Sequence, residues 1–167
     1  LNQNDWNSVS IIPVGGVPRI ISGNFGGVLV SFNGADRVGV DGFNTGGNAL
    51  TFDNQSVSTV ATISFTNDAH LDAFQNITVL GSNGNTTGGV VQFGTATSTG
   101  NDSITFSTCV IGASAGGSPA NCVYSAGTAT AGMENSVIVF NTCNIENYFN
   151  ATFISTGIQA AAGNTGW

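Results

Sequence analysis

One spacing limits what this chain can fold into. Val40, Phe74, Phe106 and Phe140 recur at intervals of 34, 32 and 34 residues. Phe43, Ile77, Cys109 and Cys143 recur three positions later at the same intervals, and Val79, Ile111 and Ile145 form a third series. The surrounding phrases match, as in FSTCVI from Phe106 and FNTCNI from Phe140. Between these lies another recurring strand pattern, with Val30/Phe32, Ile63/Phe65, Val91/Phe93 and Val123/Ser125 as its apolar-side pairs, at intervals of 33, 28 and 32. Apolar residues alternate along each phrase, which is the period of a strand with one buried face. A weaker third strand reads RIIS (Arg19 to Ser22) and ALTFD (Ala49 to Asp53).

Several short strands per repeat with no helical pattern between them exclude a βαβ sheet and fit a solenoid whose turns stack on one another. The expected fold is all-β: a right-handed parallel β-helix of about five coils, each roughly 28–35 residues, with 1–167 as a single segment. A β-sandwich fits the composition equally well, but gives no reason for three separate positions to repeat together. Equivalent residues then stack as ladders about 4.8 Å apart. Two ladders are expected inside on one side, Val40–Phe74–Phe106–Phe140 and Phe43–Ile77–Cys109–Cys143, with Val30–Ile63–Val91–Val123 inside on another. The variable segments 82–89 and 113–120 are expected to bulge outward.

This placement makes Cys109 and Cys143 core rungs, since a buried cysteine behaves as a small hydrophobe. They are expected to be buried neighbours and mostly reduced. A disulfide between adjacent rungs is sterically conceivable, although aligned side chains suit its dihedral poorly. With three cysteines in all, at least one thiol lacks an intramolecular partner.

Charged residues make up only 7% of the chain, and Arg19 and Arg37 are its only cations against a net charge of −7. No basic patch can be assembled to neutralise phosphates, which excludes nucleic acid and disfavours anionic membranes. Acidic polysaccharides would be repelled unless a bound cation intervened. No stretch is long and apolar enough for membrane insertion. A chain that begins at Leu1 without a signal peptide reads as a mature or excised extracellular segment.

The stretch from Gly27 to Gly42, GVLVSFNGADRVGVDG, followed by GGNALTFDN from Gly46, resembles the long secreted β-helix proteins of Bacteroidetes and related environmental bacteria. Many of those end in a type IX secretion sorting domain. TVLGS (Thr78 to Ser82) and GNTGW (Gly163 to Trp167) share the likeness, whereas Arg37 and Gly39 depart from the usual polar residues of that strand. The motifs are structural and carry no single activity. The resemblance implies a large secreted or cell-surface protein of which this chain is one segment. In such proteins the ending leads into another strand, and NDWNSVSII (Asn4 to Ile12) looks like the phrase that would follow.

The β-helix fold also serves pectate lyases, galacturonases and tailspike glycosidases, so a carbohydrate-binding or carbohydrate-cleaving β-helix is the alternative reading, by analogy of fold. Glycoside hydrolysis needs two carboxyls at a set separation. Asp36 with Asp41, and Asp68 with Asp72, are the candidates. NGAD and VDG also read as strand-end turns, and the acids do not recur in step. The single His, in DAHLD (Asp68 to Asp72), has too few companions for a metal site, and this segment is expected to be an exposed loop. The Asn-x-Ser/Thr sequons at Asn54, Asn76, Asn85, Asn101 and Asn150 follow from the abundance of these residues. The Thr-rich stretches 95–100 and 127–132 sit in expected loops rather than in a flat ice-binding array. No catalytic residue, metal ligand or cofactor is therefore assigned, and the chain is read as a non-enzymatic structural or adhesive segment.

The last expectation concerns the ends. Ile11 and Ile20 at one end, and Ile158 and Trp167 at the other, are apolar, and no cap is visible in either terminal sequence. Open solenoid ends expose unpaired strand groups. They are expected to meet further coils of the same parent chain or identical copies stacked head to tail, with surface polysaccharide as a further possible partner.

Overall fold

The computed structural model describes residues 1, 7–44 and 46–167, and it is a parallel β-solenoid of about five turns. Residues 4–6 of the phrase Asn4 to Ile12 lie outside the described residues. The first coil holds β1 (Val9–Ile11), β2 (Arg19–Gly23) and β3 (Val30–Asn33). The second holds β4 (Val38–Asp41), a small hairpin of β5 (Phe43–Asn44) and β6 (Gly47–Asn48), β7 (Leu50–Asn54) and β8 (Ile63–Thr66). The third holds β9 (Ala73–Gln75), β10 (Ile77–Gly81) and β11 (Val91–Phe93), and the fourth β12 (Thr105–Ser107), β13 (Val110–Ala113) and β14 (Asn121–Ser125). The fifth holds β15 (Asn135–Ser136), β16 (Val139–Asn141), β17 (Asn144–Ile145) and β18 (Thr156–Ala160), and β19 (Asn164–Thr165) begins another turn on top of β15.

Three five-stranded sheets run the length of the stack, in the orders β1-β4-β9-β12-β16, β2-β7-β10-β13-β17 and β3-β8-β11-β14-β18. Every strand pair between coils is parallel, and the described residues contain no helix. The register pairs Ile11 with Val40, Val40 with Phe74, Phe74 with Phe106 and Phe106 with Phe140. It also pairs Val30 with Ile63, Ile63 with Val91, Val91 with Val123 and Val123 with Ile158.

Two phenylalanine columns fill the interior. Phe32, Phe65 and Phe93 stack with centroids 5.0 and 4.9 Å apart, and Phe74, Phe106 and Phe140 stack at 4.6 and 5.1 Å. The columns meet edge to face: Phe65 lies 5.4 Å from Phe74 and 6.1 Å from Phe106. Each such pair adds about 0.5–1.5 kcal/mol beyond area burial. Above Phe93 the first column shrinks to Ser125 and Ala160. Trp167 fills the room thus left, its ring edge-on to Phe93 at 5.4 Å and stacked over Phe140 at 6.3 Å.

The corners between sheets are single left-handed residues. Arg37, Leu71, Ser103 and Val137 form one set, with φ between 53° and 57°, and Asn76, Thr108 and Thr142 a second, with φ between 53° and 56°. This conformation is costly for a branched side chain. It persists because each corner is bonded to the next: Arg37 N–H donates to His70 O, Leu71 N–H to Asp102 O and Ser103 N–H to Ser136 O. One-residue corners also keep the spacing of the first sheet near-constant from coil to coil, which is why the repeat survives in the sequence.

Phe43 departs from the expected ladder. It lies in the β5–β6 hairpin, paired with Asn48, and is 64% exposed. The hairpin lengthens this corner, so Leu50 rather than Phe43 pairs with Ile77. The inward rung is Leu50, Ile77, Cys109 and Cys143, the last two fixed by the pairing of Val110 with Thr78 and with Asn144. Ile20 also departs from its expected place. It pairs with Thr51 on the outer face and is 65% exposed, and its neighbour Ile21, paired with Phe52, points to the axis.

Candidate functional site

The four acids singled out in the sequence fall into three environments. Asp41 accepts hydrogen bonds from the Phe43 N–H (2.8 Å), Gln75 Nε2 (2.7 Å) and Asn76 Nδ2 (3.0 Å). Partial burial works against ionisation, but these donors, Asn76 foremost, outweigh it and hold the carboxyl below its usual range. Asp41 therefore ties one coil to the next.

Asp68 is wrapped by the following coil. Its Oδ1 accepts the N–H groups of Thr97, Ser98, Thr99 and Gly100 at 2.9–3.2 Å, and Oδ2 accepts Thr97 Oγ1. Partial burial tends to raise this carboxyl, but the Thr97 hydroxyl and the converging N–H groups hold it down to about 2. The Thr-rich loop 95–100 is thus shaped around a partly exposed carboxylate. Gly100 has φ +99°, and a Cβ there would lie 2.0 Å from Glu134 O, so only glycine allows the loop to close.

Asp72 is not on an exposed loop. It occupies the column of Val38, Ile104 and Ile138, all inside the solenoid, and is itself 1% exposed. Its Oδ1 accepts the Val38 N–H at 2.9 Å, while Oδ2 is buried without a hydrogen-bond partner. Burial pushes this carboxyl up to about 7, and the nearby Asp36 charge adds to the rise against the Val38 hydrogen bond. Two neighbouring carboxyls with one proton held high is the chemistry of an acid–base pair. Here the raised partner faces the core, and a saccharide could not touch it unless the coil opened.

The acids do not stack on one another, but a mixed polar column recurs in step, with acids on alternate rungs. Asp36 bridges to His70, His70 to Asp102 and Asp102 to Ser136, forming one column along the side of the stack. Asp102 Oδ1 accepts both the N–H (2.9 Å) and the Oγ (2.8 Å) of Ser136. Among the described residues, no group of three or more His, Cys, Asp or Glu side chains is placed to hold a metal ion. Beside this column runs a buried asparagine ladder. Asn101 Nδ2 donates to Asn135 Oδ1 at 2.9 Å and to Gly94 O at 3.1 Å, and Asn135 Nδ2 donates to Ser125 Oγ at 2.8 Å. Asn164 pairs with Asn135 on the next turn. The signal was present as a polar residue repeating at 34 and 29, in GND, ENS and GNT. Apolar periodicity does not detect it.

All three cysteines are free. Cys122 is buried, its Sγ donating to Ile111 O at 3.4 Å, and burial pushes its thiol up to about 12. Cys109 is buried and Cys143, on the last rung, is partly exposed, so the two thiols are neighbours in different surroundings. The Cys109 Sγ lies 3.3 Å from Ser107 O and 3.6 Å from Phe74 O, and the Cys143 Sγ 3.4 Å from Phe106 O and 3.6 Å from Asn141 O. The neighbouring Cys143 sulfur and burial push the Cys109 thiol up, whereas the Cys143 thiol is brought down to about 7 by the adjacent Cys109.

The ends carry the largest apolar exposure near the axis. At the first coil, Ile11 is partly buried on Val40, Ile21 stands over Phe52, and Arg19 occupies the position above Leu50. The Arg19 guanidinium turns outward to the Val14 carbonyl, with Nη2 at 2.8 Å and Nε at 3.1 Å, so its stem lies over an apolar rung. At the last coil, Ile158 is 44% exposed above Val123, and Phe149, Phe153 and Ile154 stand exposed in the loop before β18. Trp167 covers part of this end and is 39% exposed, its Nε1 donating to Asn135 O at 3.3 Å. Arg19 and Trp167 are thus partial covers that the terminal sequences do not advertise. The chain matches no family model, no curated protein and no solved structure.

Proposed function

We propose that this chain is a non-enzymatic structural or adhesive segment of a large secreted or cell-surface protein, of the Bacteroidetes β-helix kind that its phrases resemble, or a subunit of an extracellular filament. Its partners are further coils of the same parent chain or identical copies set head to tail. The observation that supports this reading is the match between the two end coils. β1 and β2 present parallel edges, Leu1 already pairs along the outer edge of β3 by donating to Ser31 O and accepting the Asn33 N–H, and β16, β17 and β18 present the same three sheets at the other end. Continuing the register would set Ile21 over Ile145 and Val30 over Ile158, each apolar residue on another, and would bring Ile11 against the Trp167 ring that already lies over Phe140. Pairing there would bury apolar side chains and satisfy edge donors and acceptors together. A head-to-tail contact of this type repeats without closing and builds a fibre.

A low charge content suits such a role. Side chains on the flanks are mostly short and polar, and Asp41, Asp68, Asp72 and Asp102 tie coils together. Electron microscopy of the isolated chain at rising concentration tests the reading. Rods that lengthen along the solenoid axis are expected, and particles of one constant length at all concentrations would contradict it.

A further inference from the structure

We propose that Cys143 and Cys109 form a thiol–disulfide exchange site at the last coil, which takes a small symmetrical disulfide and closes to an intramolecular Cys109–Cys143 bridge. The geometry carries this. Val110 pairs with Asn144, and the Asn144 N–H donates to Cys109 O at 2.8 Å, so the two cysteines sit on adjacent rungs at the same corner. Adjacent rungs are about 4.8 Å apart, inside the Cα separation of about 4.4–6.8 Å that a disulfide tolerates. Each cysteine follows a left-handed corner residue, Thr108 or Thr142, rather than lying in mid-strand. Cys143 leads into a two-residue strand at the edge of its sheet, with β13 on one side alone.

The two thiols divide the work. Cys143 is reachable from solvent, and Cys109 lies on the rung beneath it, buried. The lowered Cys143 thiol is substantially thiolate near neutrality, which is the nucleophilic form. Cys143 Sγ attacks one sulfur of the small disulfide; a new S–S bond forms, the old one breaks, and one thiolate leaves. Once Cys143 is neutral, the negative sulfur that held the Cys109 proton has gone, and the departing thiolate can take that proton. Cys109 Sγ then attacks Cys143 Sγ, and the second thiolate leaves. The protein is oxidised by two electrons and the small disulfide is reduced to two thiols, so no other oxidant is needed. Cys122 takes no part: it is fully buried, its thiol donating to Ile111 O and Glu146 O at 3.4 and 3.5 Å.

The test uses the folded chain, dilute, with oxidised glutathione as probe, followed by alkylation, intact mass and peptide mapping. Two of the three thiols should be lost with the mass of two hydrogen atoms, and the linked peptides should contain Cys109 and Cys143. Cys122 should remain alkylatable after denaturation. Cys109→Ser should stop at a glutathione adduct on Cys143, formed at least about tenfold faster than any on Cys122. Three thiols remaining free, a lasting glutathione adduct on the unaltered chain, or a bridge that includes Cys122 would each overturn the proposal. The unaltered chain alone decides the main outcome, so the result does not hinge on the variant folding.

Discussion

At the scale of single residues, Phe106 shows why an aromatic ladder is stable and Asp72 shows what it can tolerate. Phe106 is fully buried and touches the rings of Phe74, Phe140 and Phe65. Phe106→Ala would remove all three contacts from a stack held by rungs above and below, which limits collapse into the space. A loss of about 3–5 kcal/mol is expected by chemical denaturation. Asp72 is a carboxyl in an aliphatic column, raised to about 7 when folded and near 4 when unfolded. Between those values the folded chain holds the extra proton, so the contribution to stability is full below pH ~4 and is lost as pH rises through ~7. Asp68 acts the other way: its stabilisation is present above pH ~4 and lost as pH falls towards its folded value of about 2. The melting temperature should therefore peak near pH 4–5, and Asp72→Asn should flatten the decline between pH 5 and 8. A decline unchanged in Asp72→Asn would place the cause elsewhere. The Phe columns were legible in the sequence because large apolar residues recur on a fixed interval. Asp72 was not, because VDG-like and DAHLD-like phrases read as turns, and only the register reveals that this acid stands in line with Val38, Ile104 and Ile138.

At the scale of elements, the sequence was read well wherever corners were one residue long and badly where a corner grew. The spacing from Phe74 to Ile77, Phe106 to Cys109 and Phe140 to Cys143 is the same because Asn76, Thr108 and Thr142 each turn the chain alone. In the second coil the β5–β6 hairpin intervenes, and Phe43 keeps the right number without the right place. Leu50 takes the rung and is 3% exposed. The two residues give a clean contrast. Leu50→Ala should cost about 2–5 kcal/mol, whereas Phe43→Ala should stay within about 0.5 kcal/mol. Equal losses at the two sites would return Phe43 to the core. Ile20 and Ile21 teach the same lesson: two adjacent isoleucines cannot both face inward, and sequence alone does not choose between them. The Asp36–His70–Asp102–Ser136 column escaped notice because its members differ in type, although they occupy one structural position.

At the scale of the whole molecule, five similar coils share three continuous sheets, so each coil is stabilised chiefly by its neighbours. The interior coils are covered on both sides. Among the described residues, the first and last are covered on one, apart from what Leu1, Arg19, β19 and Trp167 shield, and this asymmetry underlies the proposed association. Ile158 is 44% exposed on the last coil, above Val123, and is not among the rings stacked in the phenylalanine columns. Sedimentation velocity over a concentration series, on the unaltered chain and on Ile158→Asp, measures the claim directly. The account predicts a weight-average mass that climbs with concentration for the unaltered chain and stays near that of one copy, 16.8 kDa, for the variant, with folding retained by circular dichroism. A single species of that mass at every concentration of the unaltered chain, or equal growth in both, would contradict it.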